Sequence, residues 1–208
     1  MVKNLLRGLT IAFMAALTLS PFLPAQTVPS PVEGFCLSGN PGAPVRLEIY
    51  SDYQCPSCRE FYLATIVPLL RDYSRQNKIC FLYHDFPLKI HKYAIGASRI
   101  SVAARKMGRE QWLRVSEALY ADQAKWSIDG KPEMAAARVL SSEEMTRLKK
   151  ILEDPSVDTL LNKEIEEAQK RQVNSTPTFF LWVEGREQKI VGGVSYAVLK
   201  NHLDRILK

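Results

Sequence analysis

The chain has 208 residues, of which 46% are hydrophobic and 24% are charged, so it is long enough to bury a sizeable core within one domain. Its 28 basic and 22 acidic residues leave a net charge of +6, which falls to +4 if Lys3 and Arg7 are removed with an N-terminal segment. The basic residues form no dense run with interleaved aromatic residues, which argues against nucleic-acid binding. Four cysteines are too few for a scaffold built on disulfides.

The N-terminal residues have the pattern of a secretory signal peptide. The short basic stretch MVKNLLRG is followed by the uncharged apolar run LTIAFMAALTLSPFL and then by the small residue Ala25. Residues 1–25 are therefore predicted to be a signal peptide and residues 26–31 a linker. Because Leu23 stands where a small residue is preferred for cleavage, an uncleaved membrane anchor is the alternative. In either form the folded part is expected to face an extracytoplasmic space, periplasmic or secreted, in which disulfides are stable.

Beyond the linker, the spacing of the apolar residues switches between strand-like and helix-like patterns. The predicted strands are residues 32–37, residues 45–50 (VRLEIY), residues 78–86 (KICFLYHDF), TPTFFLWV and QKIVGG, with the turn cluster LSGNPGAP after the first and the tight turn EGRE before the last. The predicted helices are residues 59–74 with a kink at Pro68, residues 91–172 with breaks around residues 107–108 and 129–130, and the terminal SYAVLKNHLDRILK with Ser195 as its N-cap.

This order of elements predicts an α/β fold in which helices cover both faces of a sheet. The helical block of about 80 residues is too long to be a single crossover between two strands. The predicted organisation is therefore a sheet domain over residues 32–90 and 173–208, with an all-helical subdomain over residues 91–172 inserted into it.

The stretch SDYQCPSCREF separates Cys55 and Cys58 by two residues, at the start of a predicted helix. Pro56 suits the first helical turn because an amide there would be unpaired in any case. The free amides of that turn and the helix dipole favour the thiolate of Cys55 and lower its pKa. Cys58 lies one turn further along and is expected to be shielded. One sulfur can then attack while the other resolves the mixed disulfide, which suits thiol–disulfide exchange.

Two other uses of these thiols are open on the residues alone. A zinc site would combine Cys55 and Cys58 with Cys36 and Cys80, although zinc sites usually pair two such motifs. A purely structural bridge between Cys55 and Cys58 would close a very small loop and add little stability. The three histidines show no metal-ligand spacing, so no metal site is predicted.

SDYQCPSC after a strand, HDFPL after the next strand, a helical insertion and then VNSTPTFF resemble the DsbA-type thioredoxin-fold thiol–disulfide oxidoreductase family. The resemblance covers residues 33–208. It implies a thioredoxin-like mixed sheet flanked by helices, with the helical subdomain inserted, and a cis peptide bond before Pro177 that faces the thiols. Thr176 and Pro177 would then bind an extended substrate through main-chain hydrogen bonds, with little sequence preference.

The resemblance also implies roles for the residues around the cysteine pair. In the family an acid beneath the buried cysteine relays its proton, which would make Glu48 a general base toward Cys58. Glu48 is one residue further from Cys55 than in DsbA itself, and a strand-end glutamate that reaches solvent is the alternative. Ser57 stands in place of a histidine, and its hydroxyl can donate a hydrogen bond to the thiolate without adding a positive charge. Glu48, Pro56 and Ser57 are thus the residues expected to tune cysteine ionisation.

Together these features predict an exported thiol–disulfide oxidoreductase that introduces disulfides into secreted proteins. A reductase or isomerase of the same compartment is the alternative within this chemistry, and a redox-inactive peptide-binding chaperone is the alternative outside it. The expected partners are unfolded or reduced secreted proteins and, by family likeness, a membrane protein that reoxidises the cysteine pair. No organic cofactor is implied.

Cys36 and Cys80 are a candidate structural disulfide. In a thioredoxin-like sheet the first strand lies beside the strand that follows the CxxC helix, and each predicted strand carries one of these cysteines. Neighbouring strands lie about 4.8 Å apart, which is compatible with the Cα separation of about 4.4–6.8 Å that a disulfide needs. The bridge depends on the strand register, and two separate buried thiols are the alternative.

Overall fold

The computed structural model describes residues 36, 38–39, 42–73, 76 and 78–208. The predicted signal peptide, the predicted linker and residues 32–35 of the predicted first strand lie outside the described residues. Within the described ranges, no helix is both long enough and apolar enough to cross a membrane.

Five strands form a mixed sheet. They are β1 (Ser38–Gly39), β2 (Val45–Ser51), β3 (Ile79–Asp85), β4 (Thr178–Val183) and β5 (Arg186–Val191). The order across the sheet is β1–β3–β2–β4–β5. Because a helical crossover connects them, β2 and β3 are parallel, whereas the other three pairings are antiparallel. The central strand β2 leads directly into the loop that carries the cysteine pair.

The helices follow the predicted order with finer divisions. They are α1 (Pro56–Phe61), α2 (Val67–Tyr73), α3 (Ala94–Met107), α4 (Arg109–Ala121), α5 (Gln123–Asp129), α6 (Glu133–Ala137), α7 (Ser142–Leu152), α8 (Ser156–Lys170) and α9 (Tyr196–Ile206). The predicted breaks are confirmed, because α3 ends at Met107 and α5 at Asp129. Ser195 occupies the N-cap position of α9, although its hydroxyl accepts no capping hydrogen bond.

The disruption predicted from Pro68 takes the form of a π-helical turn, Tyr62–Ile66, between α1 and α2. The amide of Val67 donates to the carbonyl of Tyr62, five residues earlier, instead of four. Since Pro68 has no amide to donate, the regular helical hydrogen-bond ladder is interrupted at this place in any case.

The two faces of the sheet carry different side chains. Val45, Leu47 and Ile49 of β2 pack into the large core that also contains the cysteine pair. Tyr50 points to the opposite face, where it packs with Phe180 of β4 and the last turn of α8. Helices α3 to α8 lie between β3 and β4 in the chain, which confirms the inserted all-helical segment.

The first strand differs from the prediction. Strand β1 lies inside the stretch predicted as a turn, and Cys36 precedes it. In the antiparallel register Gly39, and not Cys36, lies opposite Cys80. The sulfurs of Cys36 and Cys80 are nevertheless bonded, with a Cα–Cα distance of 5.3 Å. Pairing at a sheet edge uses backbone groups, which the alternation of apolar side chains does not report.

Candidate active site

The cysteine pair lies where β2 gives way to α1. Cys55 is the N-cap residue of α1, and Pro56 begins the helix as predicted. The Cys55 amide donates to the carbonyl of Asp52 at 3.1 Å, and the Cys55 carbonyl accepts from the amide of Arg59 at 3.1 Å. These two bonds hold the turn. Both thiols of the pair are free, so the structure shows the dithiol form.

Cys55 is the sulfur whose environment favours the thiolate. A hydrogen bond from the Cys58 thiol, with further ones from the amides of Cys58 and Ser57, lowers the pKa of Cys55 from 9.0 to about 5. Cys55 is only 7% exposed, and this burial by itself would raise its pKa. The hydrogen bonds have the larger effect, so the pKa is lowered. At neutral pH Cys55 is therefore ionised and able to act as a nucleophile.

Cys58 has the opposite character. Burial raises the pKa of this thiol far above its ordinary value, and the hydrogen bond that it donates to Cys55 raises it further. The side chain has no exposed surface, and the amide of Asp52 approaches its sulfur at 3.5 Å. One turn of helix thus separates an ionised sulfur near the surface from a protonated sulfur in the core.

The loop before β4 lies against Cys55. The Thr176–Pro177 peptide bond is cis, and the Thr176 carbonyl oxygen lies 3.4 Å from the Cys55 sulfur, where it can accept a hydrogen bond from the protonated form of this thiol. The Thr176 side chain also contributes to the lowered pKa of Cys55, and its hydroxyl is bonded to no other group among the described residues. The Pro177 carbonyl accepts from the amide of Gly192 at 2.8 Å, which ties the loop to the end of β5. The structure therefore brings Cys55, Cys58, Thr176 and Pro177 together.

Pro56 and Ser57 lie exposed at the start of α1. The group of Ser57 that lowers the pKa of Cys55 is its backbone amide, not the hydroxyl that the sequence suggested. Any residue except proline would supply this amide. The identity of the side chain at position 57 therefore has less influence on Cys55 than expected.

Glu48 has partners that the sequence did not indicate. It is completely buried, so a glutamate reaching solvent was the wrong alternative. Its carboxylate forms ion pairs with Arg171, near the end of α8, and with Arg46 at 2.9 Å. Arg171 also donates to the Tyr50 hydroxyl at 3.1 Å and stacks over the Phe180 ring at 3.6 Å. Glu48 is thus one member of a buried charge network.

This network lies on the face of the sheet away from Cys58. Side chains alternate along a strand, so Glu48 shares a face with Tyr50, while Ile49 packs in the cluster that contains Cys58. The expected placement of Glu48 as a general base toward Cys58 is therefore wrong. The physical reason is the alternation of β2, because Leu47 and Ile49 on either side of Glu48 occupy the face that packs with Cys58.

The helical insertion supplies contacts that sequence reasoning missed. Gln123, the first residue of α5, donates through Nε2 to the carbonyls of Tyr53 at 2.6 Å and Cys55 at 2.9 Å. The guanidinium of Arg59 donates to the carbonyl of Tyr120 at 3.0 Å. Single glutamine and arginine residues form no recognisable motif, so no signal in the sequence pointed to them.

Tyr53 connects the cysteine loop to helices α3 and α4 of the insertion. Its hydroxyl is hydrogen-bonded to Ser101 of α3 at 3.0 Å and to Ser116 of α4 at 2.7 Å. Burial raises the pKa of Tyr53 well above its ordinary value, so the phenol stays neutral. The hydrogen bonds of Tyr53 and those of Gln123 together fix the cysteine loop to the helical insertion.

A cavity of about 550 Å³ opens along α1. One wall consists of Ser57, Glu60, Phe61, Ala64 and Thr65, and the other of residues 193–197, which run from the loop after β5 into the first turn of α9. Ser57, which precedes Cys58 in the sequence, lines this cavity, and the lining contains both apolar and polar side chains.

A mixed sheet of this order, a dithiol at a helix N-terminus and a cis-proline loop facing it define a thioredoxin-fold dithiol protein. The chain matches the family model described as Thioredoxin over residues 32–204. It therefore belongs to the thioredoxin family, and it is a thiol–disulfide oxidoreductase of the DsbA type.

Relatives support this assignment. The chain is 22% identical over 174 residues to the probable disulfide bond formation protein D of Bacillus cereus, covering 82% of this chain and 77% of the relative. Its fold is similar to that of BdbD from Bacillus subtilis, with 20% identity, a TM-score of 0.65 and coverage of 82% and 91% of the two chains. A thioredoxin-like oxidoreductase from Silicibacter pomeroyi is 25% identical, with a TM-score of 0.64 and coverage of 80% and 88%.

Proposed function

We propose that this protein is an exported dithiol oxidase that introduces disulfides into secreted proteins through Cys55 and Cys58. The observation that carries the proposal is the pKa of Cys55, which is lowered to about 5. Stabilising this thiolate stabilises the reduced form of the pair relative to its disulfide. A pair with a stabilised reduced form transfers its disulfide readily to a partner.

The exchange proceeds in two displacements. A substrate thiolate attacks the sulfur of Cys55, the Cys55–Cys58 bond breaks, and Cys58 leaves as a thiolate that takes up a proton. A second substrate thiolate then attacks the substrate sulfur of the mixed disulfide, and Cys55 leaves as a stable thiolate. The substrate gains a disulfide and the enzyme is left with two reduced cysteines.

Thr176, Pro177 and the cavity along α1 are the proposed substrate-binding elements. The carbonyl of Thr176 lies 3.4 Å from the Cys55 sulfur, so a chain held along this loop would present its own sulfur to Cys55. Main-chain pairing would allow many different unfolded substrates. The names of the relatives, which refer to disulfide bond formation, agree with this use of the site.

The reduced enzyme must be reoxidised to act again. By family likeness we assign this step to a membrane redox protein, and we place the enzyme in an extracytoplasmic space because disulfides persist there. A reductase or isomerase would use the same thiols in the reverse direction. The pKa of Cys55 favours the oxidase, since a reductase needs a stable disulfide form.

Two cysteine variants and a reduced protein substrate test the proposal. The oxidised wild-type protein should form disulfides in a reduced, unfolded substrate at stoichiometric amounts. Cys58→Ser should trap mixed disulfides through Cys55 when it is mixed with a disulfide-containing substrate, whereas Cys55→Ser should form none. An adduct mapped to Cys58, or net reduction of the substrate in a glutathione buffer, would contradict the assigned roles or the assigned direction.

A further inference from the structure

Exposed apolar side chains are concentrated near the active-site loop. Among the described residues, seven large apolar side chains are exposed, and four of these are Ile90, Ile95, Ile128 and Met134. Ile90 is 83% exposed and Ile128 is 81% exposed. Single exposed apolar residues are ordinary, but a group on one surface marks an interaction site.

The four residues belong to two segments that touch each other. The ring of Tyr93 covers Gly130 so closely that a Cβ at position 130 would lie 2.6 Å from it. A Cβ at Gly96 would lie 3.8 Å from the Pro132 side chain. Residues 89–96 and 125–134 therefore pack against each other, and the two segments together are called here the isoleucine surface.

The isoleucine surface carries an excess of positive charge. Its exposed cations are Lys89, Lys92, Lys125 and Lys131. None of the four forms a salt bridge in the described part of the chain, where the paired lysines are Lys106 and Lys200. The surface also contains the exposed acids Asp129 and Glu133, so its lysines exceed its acids by two.

We propose that the isoleucine surface docks onto an anionic lipid bilayer. Isoleucine side chains at this exposure can enter the boundary between headgroups and acyl chains, while the lysines contact the negative headgroups. Lys125 and Ile128 are three residues apart on α5 and so lie on the same side of the helix.

The charge of the surface favours an anionic bilayer as the occupant, since its four lysines form no ion pair with the described residues. Ile90 lies in the loop before α3, and Ile128 lies in the last turn of α5, so both stand at the ends of elements. Anchor residues of protein interfaces usually fill desolvated pockets on the partner and are surrounded by a sealed rim.

Docking in this way would hold the cysteine loop near the membrane. The Tyr93 amide, within the isoleucine surface, donates to Oε1 of Gln54 at 2.8 Å, directly beside Cys55. Gln123, in the same helix as Ile128, donates to the Cys55 carbonyl at 2.9 Å. The surface and the thiol are thus joined by short, direct contacts, although the docking itself does not depend on the redox role.

The test uses the full-length chain with vesicles of phosphatidylglycerol and phosphatidylcholine, and with vesicles of phosphatidylcholine alone. Amide hydrogen exchange on the anionic vesicles should slow within residues 88–93 and 129–132. This readout separates the isoleucine surface from the apolar N-terminal segment, which can bind lipid by itself. If the chain binds the vesicles but amide exchange slows in neither of these two stretches, the proposal is overturned.

Matched variants measure the contribution of each part. Ile90→Ser with Ile128→Ser should weaken partitioning onto anionic vesicles about tenfold, because two apolar groups are lost from the interface. Each lysine replaced by glutamine should weaken it about fivefold. Val191→Ser with Val198→Ser is the control, since these residues are 63% and 62% exposed on other elements. Bilayer docking would be contradicted if both double serine variants lost the same amount of partitioning onto anionic vesicles. It would also be contradicted if the protein captured a folded protein partner and bound no vesicles.

Discussion

At the scale of single residues, two cysteines one helical turn apart are driven in opposite directions by their surroundings. Cys55 receives hydrogen bonds from Cys58 and from backbone amides, whereas Cys58 loses contact with water. The sequence predicts the same asymmetry, because it follows from the position of each sulfur at a helix N-terminus. The neighbours that produce it were only partly predictable. Ser57 acts through an amide that every non-proline residue has.

The pH dependence of alkylation tests the ionisation of Cys55. In the reduced protein its reaction rate with iodoacetamide should fall as the pH drops through about 5, since only the thiolate reacts. Cys58 should stay unreactive over the same range because burial keeps it protonated. Thr176→Val should raise the midpoint by removing the hydroxyl that is available to Cys55, while Thr176→Ser should leave it in place. A wild-type midpoint near 8.5 would contradict the account of the site.

At the scale of elements, the periodicity of apolar residues located β2 to β5 and the helices that surround them. It did not locate β1, whose two residues pair through their backbone at the sheet edge. It also did not show which face of β2 carries Glu48. Val45, Leu47 and Ile49 alternate with Arg46 and Glu48, which separates the two faces of the strand, but the sequence does not show which of these faces Cys58 packs against. The register relative to Cys55 therefore had to come from the structure.

Glu48→Gln distinguishes a structural role from a catalytic one. We expect the free energy of unfolding to fall by about 2–3 kcal/mol, because Arg171 loses its fully buried charged partner and keeps only the partly exposed Glu187. The rate of Cys58-dependent exchange and its pH profile should not change, since Glu48 faces away from Cys58. Denaturant unfolding and exchange kinetics measure the two effects.

Glu187→Gln is the matched control for this variant. Glu187 pairs with the same arginine but is 33% exposed, so its loss should cost less than about 1 kcal/mol. A Glu48→Gln protein of normal stability with slowed exchange would restore the general-base role and refute the structural one.

At the scale of the whole molecule, the insertion is part of the active site and not only a cover. Gln123 reaches the carbonyl of Cys55 across 68 residues of sequence. Tyr53 reaches Ser116 across 63 residues. The order of elements, and hence the fold, followed from local patterns in the sequence. Contacts at such separations did not, because nothing local marks one polar residue of an amphipathic helix as a partner of a distant loop.

The Cys36–Cys80 bond connects the start of the described chain to β3, with a sequence separation of 44 residues. Its removal by Cys36→Ser with Cys80→Ala should cost about 3–4 kcal/mol by the chain-entropy relation and leave thiol exchange intact. Removing the Cys55–Cys58 pair should cost much less, since that disulfide closes a far smaller loop. Peptide mapping after mild reduction should show Cys55 and Cys58 alkylated and the Cys36–Cys80 bond intact. Alkylation of Cys36 and Cys80 in the unfolded, unreduced protein would show that they are not bridged.

The equilibrium of the Cys55–Cys58 pair with glutathione at pH 7 tests the central claim most directly. If the Cys55 thiolate stabilises the reduced form, the pair should be oxidising, with a standard potential less negative than about −200 mV. A potential near that of thioredoxin, about −270 mV, would show a stable disulfide and would contradict the oxidase assignment.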